Sequence, residues 1–165
     1  MVEREPSKLT ARVRFSYPAP EIMKQKFIDL YMDWAKRSAQ LSHARRLQVG
    51  AVIVKDDTVI SYGYNGMPAG WDNNCENVVG YQHDEPVLKT KPEVLHAESN
   101  AIAKLAKSTN SGSGATLFVT HSPCLQCAKL ILQSGISSVY YNENYRDDSG
   151  LTFLEKSGIL VEQIK

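Results

Sequence analysis

The sequence predicts an α/β domain in three layers, α/β/α, with a mixed sheet of about five strands between two helical layers. Three observations predict it. Two short β-branched runs stand back to back near residue 50, with only a turn between them. Beyond residue 95, segments of helical period alternate with strand-length apolar runs. A length of 165 residues fits one domain with a short extension, so a single sheet must take all of these elements. The expected organisation is an N-terminal arm over 1–19 and one domain over 20–165.

Each element has its own warrant. Pro20 followed by Glu21 opens a helix well, because proline gives up no needed N–H and the carboxylate faces the positive end of the dipole. Phe27, Leu30, Tyr31 and Trp34 then recur at helical spacing, which predicts an amphipathic helix from Glu21 to about Ser42 with these side chains in the core. Ala51–Val54 and Val59–Tyr62, separated by Lys55-Asp56-Asp57-Thr58, read as a β-hairpin. Gly63 to Gly70 carries three glycines and a proline and reads as a loop whose backbone can take positive φ and approach a ligand. Asn73 to Pro92 is polar and reads as an irregular surface loop.

From His96 the pattern is helical, with Ala97, Ala101, Ile102 and Leu105 on one side, until the Ser/Gly-rich stretch 108–114. Thr116–Thr120 reads as a buried strand and Pro123 starts the next helix, backed by Leu125, Ala128 and Leu132. Ser138–Tyr141 is a strand, Leu151–Ser157 a helix, and Leu160–Ile164 a last strand. Strands that alternate with helices in this way should run parallel through right-handed crossovers.

Composition narrows the function classes. With 42% hydrophobic and 22% charged residues the chain has the make-up of a soluble globular protein. No run approaches the roughly 20 apolar residues that span a bilayer, and Met1–Thr10 lacks an apolar signal core, so a cytoplasmic protein without membrane partners is expected. A net charge of +1 argues against a nucleic-acid polymer as partner. The basic residues that do cluster, Arg45 and Arg46 with Lys36 and Arg37 upstream, are enough for the phosphates of one nucleotide. Three cysteines make a disulfide framework unsuited, and the Cys124-x-x-Cys127 spacing points to metal or redox chemistry instead.

Two motifs carry the chemistry, His96-Ala97-Glu98 and Pro123-Cys124-Leu125-Gln126-Cys127, each at the start of a predicted helix. There the helix dipole stabilises thiolates. One imidazole and two thiolates leave the fourth tetrahedral position of Zn²⁺ open to water, as in catalytic rather than structural sites. Water on such an ion ionises near neutral pH, and Glu98 is placed to move protons rather than to ligate. The pairing is the known signature of zinc nucleobase deaminases. A fourth ligand from Cys75 or His121 would instead make a structural site. A second zinc could draw only on Cys75, His83 and His43, which match no recognised spacing.

From about Glu21 onward the chain resembles the deoxycytidylate (dCMP) deaminase family. The likeness rests on Gln48–Val54, on Gly63-Tyr64-Asn65-Gly66-Met67-Pro68-Ala69-Gly70, on His96–Ile102, on Pro123–Lys129 and on Ser134-Gly135-Ile136. The glycine loop discriminates, since the zinc motifs are shared across the superfamily. The resemblance implies a cytidine-deaminase-like fold and hydrolysis of dCMP to dUMP and ammonia, feeding dTMP synthesis. It implies zinc on His96, Cys124 and Cys127, Glu98 as the catalytic proton carrier, and substrate contacts from Asn65, Ala97, Ser122, Pro123 and Tyr145. It further implies activation by dCTP and inhibition by dTTP, with Mg²⁺ on the triphosphate, at a site including Gly63, Tyr64, Asn65, Gly66, Met67, Pro68 and Arg46, in a homohexamer. A tRNA adenosine deaminase would share the zinc motifs but not the glycine loop, and a free-cytidine deaminase has cysteine as its first ligand. An inactive nucleotide-binding regulator would have no use for Glu98.

Overall fold

A computed structural model describes residues 23–164; the predicted arm over 1–19 and the helix opening at Pro20-Glu21 lie outside the described residues. The first helix, α1 (Gln25–Ala39), is capped by an extended Lys24 and ends before Ser42. It leads to β1 (Gly50–Lys55) and β2 (Thr58–Tyr64), joined through Asp56 and Asp57, both at positive φ. Two consecutive left-handed residues give the tight turn whose twist suits a hairpin, and aspartate tolerates that region well. Then come β3 (Glu76–Gln82), β4 (Glu85–Thr90), α2 (Ala97–Ala106), β5 (Thr116–His121), α3 (Leu125–Gln133), β6 (Ser138–Glu143), α4 (Ser149–Lys156) and β7 (Leu160–Gln163).

Five strands form one mixed sheet in the order β2-β1-β5-β6-β7. The pairs β1–β2 and β1–β5 are antiparallel, while β5–β6 and β6–β7 are parallel, as the alternation with α3 and α4 requires. Strand parity divides the core between the faces. Ala51, Ile53, Leu117, Val119, Val139 and Tyr141 join Ala97, Ala101, Leu105, Ala128, Ile131 and Leu154 of α2, α3 and α4. The alternate residues Val52, Val54, Phe118 and Tyr140 meet Ile28, Tyr31, Met32 and Ala35 of α1. The predicted three layers are therefore present.

Two sequence expectations are corrected. Along α1 the buried stripe is Ile28, Tyr31, Met32, Ala35 and Ala39. Leu30 and Trp34 are about half exposed, because the stripe read from the aromatics is rotated from the one that alanines, which the sheet can approach closely, define. The supposed irregular loop over 73–92 contains a second hairpin, β3–β4, turning through His83 and Asp84 at positive φ. Nearly all of its side chains are exposed on both faces, so no hydrophobic alternation marks it in the sequence.

Glycine serves close packing more than turning near the site. A Cβ on Gly63 would stand 2.2 Å from the Ala97 carbonyl oxygen, and one on Gly50 would stand 2.0 Å from that of Ala35. Each lets a strand lie directly on a helix, α2 and α1 respectively. Of the three loop glycines expected to take positive φ, only Gly70 does so.

Candidate functional site

His96 is the N-cap of α2 and Cys124 the N-cap of α3, both extended, while Cys127 lies in the first turn of α3. The two helix starts meet beyond the C-terminal ends of β1's neighbours, so residues 28 positions apart become adjacent. The His96 Nδ1 lies 3.6 Å from the Cys124 Sγ and 3.4 Å from the Cys127 Sγ, and the three donor atoms all lie within 4.8 Å of one another. A tetrahedral zinc with ordinary Zn–N and Zn–S lengths needs an N···S edge of ~3.5 Å. The donor set therefore fits a zinc ion in spacing as well as in chemistry. Neither His121 nor Cys75 joins it, and among the described residues no other cluster of three such donors forms.

The electrostatics of the three donors match their role. The hydrogen bond from the Cys127 thiol, followed by that of His96, holds Cys124 at about 3, so it is a thiolate. Its hydrogen bond to Cys124 and its burial push Cys127 upward in turn. The hydrogen bond to Cys124 raises His96. Metal binding exchanges such protons for the ion.

Glu98 stands in the first turn of α2 and is 4% exposed. Burial raises its carboxyl to about 7, against the lowering effects of its own backbone N–H and of His96. It shares one cavity with His96, Cys124, Ala97, Ser122, Tyr145 and Asn65, so most of the predicted substrate contacts come together. Cys127 is buried behind the wall.

The remaining predicted residues are placed as follows. Ser122 accepts the Tyr145 backbone N–H on its Oγ at 2.6 Å, which ties Tyr145 to the end of β5. Pro123 is fully buried, and its carbonyl oxygen would lie 2.0 Å from a Cβ on Gly150 of α4. Asn65 turns both ends of its amide inward: Oδ1 accepts the Val49 N–H and Nδ2 donates to the Leu47 carbonyl, both at 2.8 Å. It shapes the cavity by holding that segment, with one lone pair and one N–H left for a ligand.

The glycine loop is fastened to α2. Asn100 donates to the Tyr64 carbonyl, and Gly66 pairs with Leu95 through two backbone hydrogen bonds. Met67 packs on Ala44, Cys75 and Val94. Pro68 accepts the Trp71 N–H. Gly63 is buried, and its missing side chain lets β2 approach α2 closely.

The cavity also takes Ala44, Leu47, Val49, Thr90, Val94 and His121, none of which the sequence pointed to as a cavity wall. Burial lowers the His121 imidazole, and its Nδ1 lies 3.1 Å from the Thr120 hydroxyl. No motif marks these positions, because they come from coil and strand ends brought together by the fold. Leu47, Thr90, His121 and Tyr145 also border an adjoining recess with Arg46, Glu143, Asn144 and Arg146. Arg46 donates there to the Thr90 hydroxyl at 2.9 Å. Lys36, the other cation considered for phosphate, lies on the last turn of α1.

Comparison with known proteins agrees with this geometry. The cytidine and deoxycytidylate deaminase zinc-binding region matches residues 24–143. ComE operon protein 2 of Bacillus subtilis (strain 168) is 40% identical over 121 residues, covering 73% of this chain and 61% of its own length. The deoxycytidylate deaminase of Saccharomyces cerevisiae is 34% identical over 145 residues, covering 86% of this chain and 46% of its own length. The chain thus spans less than two thirds of either relative. The crystal structure of dCMP deaminase from cyanophage S-TIM5 in complex with dCMP and dUMP superposes with a TM-score of 0.77 at 40% identity, covering 86% of this chain and 99% of that one.

Proposed function

Given that the chain belongs to the cytidine and deoxycytidylate deaminase zinc-binding family, we propose that it hydrolyses the exocyclic amine of dCMP, giving dUMP and ammonia. The observation that carries this reading is a buried carboxyl, Glu98, in one cavity with two of the three donors of a zinc-fitting set.

His96, Cys124 and Cys127 would hold the ion, which when bound supplies a Lewis acid that makes water nucleophilic at neutral pH. Glu98 takes the proton released as water adds at C4 of the pyrimidine and delivers it to N3. It then takes the proton of the hydroxyl added at C4 and passes it to the departing amine as the C4–N bond breaks and the new carbonyl forms, so water is consumed and ammonia leaves with the exocyclic nitrogen. Its burial keeps bulk water from competing for those protons. Ala97 and Asn65 line the same cavity, within reach of a base and its sugar. Two guanidiniums, Arg46 and Arg146, against one carboxylate, Glu143, leave the neighbouring recess net positive, which suits the 5′-phosphate of a nucleotide over a free nucleoside.

To the same reading belong activation by dCTP and inhibition by dTTP, Mg²⁺ on the triphosphate, a homohexameric assembly, a cytoplasmic location and supply of product toward dTMP. These rest on the sequence resemblance. Support for a response at the glycine loop is its attachment to α2 through Gly63, Tyr64 and Gly66, since α2 carries His96 and Glu98. In the described residues no helix is long and apolar enough to cross a membrane. Ammonia release from dCMP, deoxycytidine, cytidine and tRNA by zinc-loaded protein tests the substrate. The reading expects dCMP to lead by at least about tenfold in kcat/KM, the worth of one charge-assisted contact. Preference for tRNA or for cytidine would overturn it.

A further inference from the structure

The segment between α1 and β1, residues 40–49, contains no helix or strand, yet Ala44, Leu47 and Val49 wall the cavity. Backbone amides without a ladder that are shielded from water need other partners, among them side chains. Asn65 does this at the Leu47–Val49 end. In the middle of the segment the work falls to Glu76, the first residue of β3. Its Oε1 accepts the Arg45 N–H at 3.0 Å and the Arg46 N–H at 3.2 Å.

Glu76 is an unusual choice for such a tether. It is 2% exposed, and its Oε2 has no hydrogen-bond partner, with the Arg45 Nε 3.7 Å away. A buried carboxylate whose second oxygen has only a 3.7 Å ion pair, to an Arg45 side chain that is itself exposed, gains little stability from that contact. What it holds is informative. The partner of Glu76 across the hairpin is Thr90. The Thr90 hydroxyl accepts from the Arg46 guanidinium. Both ends of Arg46, amide and side chain, are thus clamped to one rung of the β3–β4 ribbon. Thr90 itself borders both the cavity and the cationic recess. Most of the ribbon beyond this rung is exposed, while at its base Cys75 packs on Ala44, Val94 and Met67.

We propose that Glu76 is a positioning residue for substrate specificity: by fixing the Arg45 and Arg46 amides it aims Arg46 at the recess, and preference for a 5′-phosphorylated nucleoside depends on it. Glu76 lines neither the cavity nor the recess and acts through Arg46. The proposal rests on the nucleotide reading given above. It also gives the hairpin a role that neither the zinc nor Glu98 requires.

The test is the ratio of kcat/KM for dCMP over deoxycytidine, measured with zinc-loaded wild type, Glu76→Ala, Glu76→Gln and Glu76→Asp. Glu76→Ala leaves two amides without an acceptor and should lower the ratio about tenfold, mainly through the KM for dCMP. Glu76→Gln keeps an oxygen where Oε1 stands and should restore the ratio to within about threefold of wild type, which a general packing defect would not do. Should Glu76→Ala not fold, Glu76→Asp, one methylene short, should lower the ratio in the same direction. A wild-type ratio near one would overturn the nucleotide reading and this proposal with it. A wild type that prefers dCMP, with Glu76→Ala or Glu76→Asp folded and keeping that preference, would overturn the proposal alone.

Discussion

Glu98 is buried in the first turn of α2, two residues from the His96 that caps it, and its carboxyl is raised chiefly by burial, with the nearby charge of Cys124 adding to it. That placement separates binding from chemistry. Glu98→Ala should keep its zinc and its affinity for dCMP while turnover falls about 10²–10⁴-fold, the usual worth of a general acid–base group, with two proton transfers favouring the upper end. Metal analysis and calorimetry beside a rate assay check this, and a rate within tenfold of wild type would place the proton carrier elsewhere. His96, Glu98, Cys124 and Cys127 were legible in the sequence because metal chemistry constrains residue type and short-range spacing together. Asn65 was legible as a site residue, but the use of its amide to hold Leu47 and Val49 was not, since those partners lie 16 and 18 positions away. Thr90 had no local signal and His121 was marked only as a possible metal ligand, because only the fold brings them to the cavity.

At the scale of elements, the approach of α4 to the start of α3 controls where a metal ligand stands. A Cβ on Gly150 would fall 2.0 Å from the Pro123 carbonyl oxygen and 2.9 Å from the Cys124 carbonyl carbon. Backbone cannot yield there without moving the Cys124 peptide. Gly150→Ala should therefore cost about 1–3 kcal/mol of stability by overpacking and also weaken zinc retention against a chelator. Gly50→Ala, which presses on Ala35 of α1 across the sheet, should destabilise by a similar amount and leave zinc retention intact. Thermal melts and chelator competition on both variants decide the matter, and equal zinc retention in the two would refute it. The elements themselves were well marked where periodicity was strong, as in β1, β5, β6 and α2. They were misread where it was weak. The α1 stripe is set by Ala35 and Ala39, which are small rather than conspicuously apolar, and the exposed ribbon β3–β4 buries too little to leave a pattern.

For the whole molecule, the zinc set joins the starts of two helices, α2 and α3, that pack on the same face of the sheet. Removing the metal should lower the melting temperature by about 10 °C, as expected for a ligand present near a thousandfold above its dissociation constant, and zinc should restore it. His96→Ala should show no such metal-dependent shift in a melt followed by calorimetry. If the glycine loop transmits an effector signal, dCMP kinetics should be sigmoidal, become hyperbolic with dCTP and Mg²⁺, and steepen with dTTP, with a coupling of about 1–3 kcal/mol changing affinity about 5–150-fold. Steady-state curves with and without each effector check this, and hyperbolic kinetics in all conditions would show chemistry without the switch. The central claim, hydrolysis with Glu98 as proton carrier, is tested most directly by running the reaction on dCMP in ¹⁸O-labelled water with zinc-loaded wild type and Glu98→Ala. The account predicts ammonia and dUMP in equal amounts, with label on the new carbonyl of the base, from the wild type, and a rate lower by two orders of magnitude or more from the variant at equal zinc content. Unlabelled product, or undiminished turnover in Glu98→Ala, would contradict it.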